Sequence, residues 1–468
     1  MTAPPFVRTA VSLVLALACA AHGAAAASLV EVWQAAVGND REYAAGKAAH
    51  ATSQPRRDQA SSLWKPNVAF TAAAGVASSD SQTRGAQFSA PGFGQSGGVG
   101  FSTSVSGGTS GRWAITATQP LYNPARRAQQ QQLGLSADLQ DLEWNEAGQA
   151  LMVHTAQRYF DVALAEEAVR VLQLQLDAVR RASAEAQDRF KLGSVPVTDT
   201  YEAGARLAGA RAQLLAAQSD LQIKRNVLAD SAGLPAGALV TRLPQRPNPG
   251  AGANGVTRAL ESWLDDAQAG NTTIRIKLLA AEVAKQEAGK YSRQSSPVVD
   301  LVAQAGRDDL SGNGDFGAAS NSATNRMIGV QLTLPLFTGG YRTAKEEEAL
   351  RLADKAMADV ESTRQQVAQQ VRAAWLGLSI GAERVRALDD ALAASVARRD
   401  ATQLGREVGQ RTTLDLLNAE NDAATARLAL AQGRVGLLMD RLRLQALAGQ
   451  LDEASLREVD RELAPPSP

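Results

Sequence analysis

The chain has 468 residues, 48 basic and 48 acidic side chains, and only 4% aromatic residues. Its zero formal charge excludes the basic field of a nucleic-acid-binding protein and gives no acidic tail for a cationic partner. Ala, Gln, Leu, Arg and Glu dominate, a composition that is typical of long helices packed side by side rather than of a large aromatic core.

The N-terminus carries an export signal. Arg8 precedes an apolar run over residues 11–20, and four alanines follow at 24–27. This order predicts a secretory signal peptide over residues 1–27, cleaved near Ala27, because the apolar run is too short to span a membrane. Cys19 is the only cysteine, and residues 16–18 before it fit a lipoprotein attachment site poorly. The mature chain is therefore expected to lack cysteine, which excludes disulfides and thiol catalysis.

Residues 28–255 form the first of two similar halves. A helical pattern begins at Ser28 and continues to Trp64, where Pro66 ends it. Alternating apolar and polar residues then predict strands over about 67–78 and 113–121, joined by a Gly- and Ser-rich loop over about 79–111. Long helices are predicted over about 122–191 and 197–233.

Residues 256–450 repeat this order. A helix over about 256–295 precedes strands over about 298–306 and 327–336, which are joined by a polar loop over 308–325. Long helices follow over about 343–405 and 412–448, and residues 451–468 are expected to form a C-terminal tail. In the helix over 343–405, apolar and small residues recur every three or four positions with one polar interruption, Arg364. This spacing predicts a coiled-coil seam.

Matching residues at the element ends support an internal duplication. Pro120 and Pro335 lie at the two predicted strand-to-helix junctions, and Gly339 and Gly340 follow the second. Gly193 and Gly409 end the long helices as predicted C-cap glycines. The paired positions are spaced about 216 residues apart, which indicates that one two-part unit occurs twice.

The four predicted strands allow two interpretations. Strands of about 9–12 residues match the height of an outer-membrane bilayer, with apolar side chains facing lipid. An ordinary half-buried hairpin shows the same alternation, but the export signal favours the membrane. Because hydrocarbon does not tolerate unpaired strand edges, four strands must oligomerise to close a sheet. A trimer with twelve strands is the most economical solution, and a dimer or tetramer remains open.

The sequence offers no constellation for catalysis. His22 lies in the signal segment, and His50 and His154 lie alone in predicted helices. A G-x-G-x-x-G match at 92–97 lies between two strands with no helix after it, so the context for phosphate binding is missing. We therefore predict that the protein is not an enzyme and has no cofactor or metal site.

Four motifs together resemble the TolC family of outer-membrane export channels. They are Gln-Pro-Leu-Tyr at 119–122, Arg-Phe-Lys-Leu-Gly at 189–193, Leu-Pro-Leu-Phe-Thr-Gly-Gly at 334–340, and Val-Gly-Gln-Arg-Thr-Thr-Leu-Asp-Leu-Leu-Asn-Ala at 408–419. The last is the most specific and is closer to the type I secretion branch. The resemblance implies an α+β membrane protein: a trimeric 12-stranded outer-membrane β-barrel with four strands per subunit, continued by a long periplasmic α-helical coiled-coil barrel and internally duplicated.

The resemblance also implies a function. The expected role is a passive exit duct in the cell outer membrane of a Gram-negative bacterium, extending into the periplasm. Its expected partners are two further copies of the chain, outer-membrane lipid, a periplasmic adaptor and an inner-membrane ABC or proton-driven transporter. Type I protein (toxin) secretion is favoured, and multidrug or small-molecule efflux is the alternative. A periplasmic coiled-coil structural or adaptor protein without a pore is the alternative of another class.

By the same resemblance, the gate lies at the two helical turns. Asp415 falls at a constricting acidic ring, and Asn418 falls where a second acidic ring is common. Mutual repulsion of three Asp415 side chains around an axis is expected to raise their apparent pKa. Arg406 stands where a tyrosine of the closing network occurs in the best-known member. The expected gate contacts are Thr198, Asp199, Gln410 and Arg411, and Arg411 is expected to pair with Asp199 to hold the tip closed.

Overall fold

The computed structural model of the chain describes residues 28–92, 94–235, 241–244, 258–314 and 317–463. The predicted signal peptide and Cys19 lie outside this part. The chain divides into two compact units. The sheet unit comprises Ser53–Asp138 and Leu279–Ala356, and the helical unit comprises the other described residues.

Short helices precede each pair of strands. Helices α1 (Leu29–Asn39), α2 (Arg41–His50) and α3 (Ser53–Ser62) replace the single helix predicted from Ser28 to Trp64. The first break occurs at Asp40, whose carboxylate accepts the amide protons of Glu42 and Tyr43 at 3.0 Å and so caps α2.

The second half shows the same kind of break. Helices α6 (Leu260–Gly270) and α7 (Thr272–Ser292) replace the helix predicted over 256–295, and a 3₁₀ turn covers Arg293–Ser295. Asn271 separates the two helices, since its side-chain oxygen accepts the amide proton of Ile274 at 3.0 Å. A capping residue inside an otherwise continuous helical pattern thus divides the helix.

Four antiparallel strands form one sheet in the order β1-β2-β3-β4. The strands are β1 (Asn67–Ala90), β2 (Gly94–Tyr122), β3 (Val298–Gly314) and β4 (Gly317–Thr333). The prediction of loops over 79–111 and 308–325 is wrong, because most of these residues extend the strands. Their mostly small and polar side chains show no regular apolar alternation, yet the backbone ladder needs none.

The first hairpin is longer than the second. Its pairing begins at Asn67↔Thr118 and continues to Ala90↔Gly94. The ladder between β2 and β3 reaches only Ser106↔Asn313. Residues beyond that pair, over 79–90 and 94–105, pair with each other as a two-stranded ribbon.

Two pairs of antiparallel helices dominate the described helices. Helix α4 (Pro124–Lys191) has 68 residues and precedes α5 (Val197–Ala232). Helix α8 (Tyr341–Glu407) has 67 residues and precedes α9 (Thr413–Leu447). Among the described helices, none combines the length and the apolar character needed to cross a bilayer.

The predicted seam of α8 is buried over its central part. Val360, Val371 and Leu378 are almost fully buried in the helical unit. Leu350 and Met357, which the same spacing assigns to the seam, are 51% and 50% exposed. In the single chain, the seam is therefore covered over only part of its length.

The main core of the helical unit joins both ends of the described chain. Leu29 of α1 packs in one cluster with Phe160 of α4, Leu442 of α9 and Leu456. Leu456 belongs to α10 (Glu453–Arg461), which lies in the segment predicted as a tail over 451–468. That prediction is wrong for residues 453–461, because the apolar side of this short helix is buried against the core.

Candidate functional site

The register of the sheet brings the predicted apolar residues onto one face. Phe70 of β1 lies opposite Ile115 of β2, and Ile115 lies opposite Ala305 of β3. Phe70 is 66% exposed, although side chains of this type are usually buried in soluble proteins. The same face carries Val68, Ala117, Val299, Leu301, Ala303, Ile328, Val330 and Leu332. We call this set the apolar face.

The opposite face of the sheet is polar. Thr116 lies opposite Gln304, and Asp300 lies opposite Gln331. Strand β1 pairs only with β2, and β4 pairs only with β3, so both outer edges of the described sheet lack a strand partner. An exposed apolar face and two open edges are features that a single copy in water cannot satisfy.

Each strand-to-helix junction carries its proline. Pro120 lies in β2 opposite Asp300, and Asn123 then caps α4 by accepting the amide proton of Arg126 at 2.9 Å. Pro335 follows β4. Gly339 and Gly340 adopt φ values of 63° and 83° immediately before α8, a conformation that side chains other than glycine rarely adopt.

The first helical turn, between α4 and α5, closes on Gly193. This residue has a φ of 71° and donates its amide proton to Phe190 at 2.9 Å, and Ser194 donates to Arg189 at 2.9 Å. These two bonds form a Schellman motif, which ends a helix and reverses the chain. Pro196 stands at the N-cap of α5 without a side-chain cap.

The second turn, between α8 and α9, has a side-chain cap that the first turn lacks. Gly409 has a φ of 76°, and Gln410 donates its amide proton to Gly405 at 2.8 Å. Thr412 and Asp415 then form a capping box: the Asp415 amide donates to Thr412 Oγ1 at 3.1 Å, and the Thr412 amide donates to the Asp415 carboxylate at 2.9 Å.

Capping fixes the charge of Asp415 in the single chain. Hydrogen bonds from the backbone and then the side chain of Thr412, with the nearby positive charge of Arg411, lower the pKa of Asp415. This lowering of the pKa is opposite to the increase expected from mutual repulsion in a ring of three Asp415 side chains. Repulsion between copies would therefore have to overcome the local capping before the carboxylates protonate.

Asn418 lies one turn further along α9. Its side-chain oxygen accepts a hydrogen bond from Arg206 of α5 at 3.1 Å, and Arg206 also lies 3.5 Å from Glu202. The predicted constriction residue thus has a partner on the other helical hairpin. Nothing in the sequence indicates this contact, because the two residues are 212 positions apart.

A second link joins the long helices close to the turns. Arg406 of α8 forms an ion pair with Glu185 of α4 at 2.5 Å, and Glu185 also pairs with Arg189 at 2.9 Å. The two side chains of the interhelical pair are 21% and 32% exposed, so water partly reaches them. The position at which the resemblance places a tyrosine is therefore occupied by a charged contact.

Glu420 of α9 is the acidic residue of this region that sequence reasoning missed. Burial raises the pKa of Glu420, although the charges of Arg181, Arg399 and Arg406 oppose the shift. No local motif marks this glutamate, since the arginines around it come from two other helices, α4 and α8.

The four predicted gate residues lie at the turns and are exposed. Thr198 donates a 3.4 Å hydrogen bond to Asp199. Arg411 forms no ion pair with Asp199 within the single chain, and its side chain lies against Gly405. Gln410 is likewise exposed. The predicted contact between Arg411 and Asp199 is therefore absent inside one subunit.

The structure shows no metal centre within the described residues, where no three His, Cys, Asp or Glu side chains are grouped to hold an ion. His50 instead contacts Asp141 at 3.0 Å and stacks on Trp144.

Comparison with known proteins decides the family. The model of the family described as outer membrane efflux protein matches residues 32–234 and 263–450, one segment in each half of the duplication. The chain belongs to the outer membrane efflux protein family. It is 26% identical over 347 residues to the outer membrane protein TolC of Escherichia coli K12, covering 71% of this chain and 68% of TolC. It is 27% identical over 350 residues to the alkaline protease secretion protein AprF of Pseudomonas aeruginosa, covering 74% and 71%.

Solved structures give the same fold for this family member. The outer membrane protein VceC of Vibrio cholerae aligns with a TM-score of 0.69 at 18% identity, over 90% of this chain and 96% of VceC. The outer-membrane channel OprN aligns with a TM-score of 0.67 at 16% identity, over 90% of both chains. The predicted fold class, the TolC family, the outer-membrane location and the export-channel function are confirmed. The alternative of a pore-free periplasmic adaptor is not supported.

Proposed function

We propose that the protein is a passive exit duct that works as a homotrimer, with an inner-membrane transporter and a periplasmic adaptor supplying its substrates. The observation that carries this proposal is the sheet, which has one apolar face, one polar face and two open edges. Three such sheets joined edge to edge close a barrel of twelve strands, with the apolar face toward lipid and the polar face toward a water-filled lumen.

The assembly is tested by reconstitution. We expect the purified protein to migrate as a trimer that dissociates on heating and to form ion-conducting channels in planar bilayers. A monomer that does not conduct would contradict the proposal. A matched pair of variants at the open edge of β4 sharpens the test: Val330→Pro removes a backbone donor from the strand, whereas Val330→Thr preserves the ladder. Only the proline variant should lose the trimer.

We further propose that the two helical turns form the gate. Arg206–Asn418 and Arg406–Glu185 hold the two helical hairpins of one subunit together. Arg411 and Asp199 are exposed and do not pair with each other inside the chain, so they are available to adjacent copies. We assign to them the closing contact between subunits, with Thr198 and Gln410 beside it, and assign the constriction to Asp415 and Asn418.

Conductance measures this gate directly. We expect the double variant Arg411→Ala/Asp199→Ala to raise single-channel conductance, because the closing contact between subunits is lost. The control is Arg180→Ala/Asp188→Ala, which removes exposed charges of the same signs from α4. If the gate variant and the wild type have equal conductance, Arg411 and Asp199 do not form the closing contact.

The constriction needs a separate measurement. A ring of carboxylates should bind multivalent cations at the pore axis. We expect such cations to block the wild-type channel more strongly than the Asp415→Asn channel. Equal block of both channels would show that Asp415 does not line the constriction.

We propose type I protein secretion as the substrate class. The supporting observation is similarity to AprF, a relative named for alkaline protease secretion. Small-molecule efflux is the second candidate, favoured by similarity to the efflux protein BepC of Brucella suis, which is 26% identical over 330 residues. A deletion strain separates the two: secretion predicts a missing extracellular protein, whereas efflux predicts increased sensitivity to toxic compounds. A strain that shows only drug sensitivity would overturn the secretion assignment.

A further inference from the structure

An open cavity lies where β2 ends and α4 begins, within the sheet unit. Its volume is about 710 Å³, within the range of small-molecule sites. Its lining residues are Trp64, Leu121, Tyr122, Asn123, Pro124, Arg127, Gln130, Gln131 and Arg293. We call it the junction cavity.

Two arginines line the junction cavity, and neither is neutralised by a nearby carboxylate in the part of the chain that the structure describes. Arg127 and Arg293 are both exposed, and neither forms an ion pair with a carboxylate among the described residues. The neighbouring Arg126 differs, because it donates to the carbonyl oxygen of Leu63 at 2.9 Å. No Asp or Glu belongs to the described residues that line the cavity. Two free guanidinium groups in one cavity match an anion with several acceptor oxygens.

An aromatic wall stands beside these cations. Trp64 donates its indole N–H to Gln130 Oε1 at 2.9 Å, and Gln119 donates its side-chain N–H to the Trp64 carbonyl at 2.7 Å. Tyr122 lies opposite Val299, which occupies an end row of the apolar face. The cavity thus opens where the apolar face stops and aromatic and basic side chains begin, the order found at the boundary between hydrocarbon and headgroups.

We propose that the junction cavity binds the phosphate group of an anionic membrane phospholipid, with the acyl chains lying along the apolar face. Arg127 and Arg293 contact the phosphate oxygens, the glutamine amides donate to the headgroup, and Trp64 and Tyr122 cover the glycerol region. A zwitterionic lipid carries its own cation and would meet two uncompensated arginines, so the cavity selects lipids with net negative charge.

The test uses the full-length protein purified in a neutral detergent, with lipid retention read by native mass spectrometry. The probes are phosphatidylglycerol, phosphatidylcholine and inorganic phosphate. The variant Arg127→Gln/Arg293→Gln is compared with Arg275→Gln/Arg180→Gln, which removes two exposed arginines that do not line the cavity. The variant Arg127→Lys/Arg293→Lys restores the charge. Because the proposal rests on the membrane placement of the sheet, channel conductance is recorded on the same samples.

We expect wild type and the Arg275/Arg180 control to retain phosphatidylglycerol over phosphatidylcholine, and the cavity glutamine variant to bind it roughly tenfold more weakly. The lysine variant should recover part of the binding, and all four proteins should conduct. Equal retention of both lipids, or no loss in the glutamine variant, would overturn the lipid site while leaving the channel intact. Displacement of the lipid by equimolar inorganic phosphate would also overturn it, because the cavity would then recognise free phosphate. A wild-type protein that does not conduct would instead contradict the proposed duct function.

Discussion

At the scale of single residues, the two helical turns differ in how their second helix begins. Thr412 caps α9 through the box with Asp415, whereas Pro196 offers α5 no side-chain cap. We expect Thr412→Ala to loosen the start of α9 by about 1 kcal/mol, the usual effect of losing an N-cap. The rate of hydrogen exchange of the backbone amides of residues 413–416 measures this loosening. The matched variant Thr198→Ala lies inside the first turn of α5 and should change exchange there much less; equal effects would contradict the asymmetry.

Glu420 gives the helical unit a pH dependence of known sign. Burial raises its pKa in the folded state above the ordinary glutamate value of 4.5. Its contribution to stability is therefore fully present below the unfolded-state pKa and is lost as pH rises through the folded-state value. We expect Glu420→Gln to be at least as stable as wild type at neutral pH, and this advantage to shrink as pH falls toward 4.5.

The thermal unfolding midpoint, followed against pH for wild type and variant, reports this difference. The control is Glu407→Gln at an exposed position of α8, which should leave the pH profile of wild type unchanged. A difference between wild type and Glu420→Gln that stays constant across the pH range would show that Glu420 does not titrate in this way.

What sequence could predict at this scale depended on distance along the chain. The positive φ of Gly193 and Gly409 and the cap formed by Thr412 arise from residues within a few positions, so local patterns indicate them. The pairs Arg406–Glu185 and Arg206–Asn418 join positions more than 200 residues apart. Their geometry depends on how the hairpins pack, which no local pattern contains.

At the scale of elements, the two faces of β2 should respond oppositely to charge. Ile115 lies on the apolar face and the adjacent Thr116 lies on the polar face. We expect Ile115→Lys to destabilise the assembled protein by about 2–4 kcal/mol, the cost of a cation at the middle of a bilayer. Thr116→Lys should be tolerated. The two variants are compared by their trimer yield in outer-membrane fractions and by their refolding into vesicles. Equal yields would contradict the placement of Ile115 against lipid.

The strands also show where periodicity stops being informative. The alternation of apolar and polar residues predicted the strand segments over 67–78 and 113–121, because one face of the sheet must be apolar there. Beyond them, β1 and β2 continue as a ribbon rich in Gly, Ser and Thr that shows no regular apolar alternation. Backbone hydrogen bonds hold such a ribbon without any apolar pattern, so the sequence indicates a loop where the structure has strands.

At the scale of the whole molecule, the C-terminal helix completes the core. The Leu29 amide donates to Asp460 at 2.8 Å, and Arg441 pairs with Glu462 at 2.7 Å, with both side chains 10% exposed. Deleting residues 453–468 would uncover the apolar cluster that contains Phe160 and leave Arg441 buried without its partner. We expect this deletion to abolish trimer accumulation. Deleting only residues 464–468 is the control and should preserve it; similar trimer levels in both deletions would contradict this role.

The open edges of β1 and β4 carry a genetic consequence. In the proposed trimer each edge is completed by another copy, so every barrel contains strands from three polypeptides that were synthesised separately. A subunit with a defective edge would enter mixed trimers and spoil its neighbours. When wild-type and defective genes are expressed equally in one cell, only about one trimer in eight would be free of the defect, by random assortment of three identical subunits. Mutations at these edges should therefore be dominant, whereas mutations that prevent a subunit from folding should be recessive.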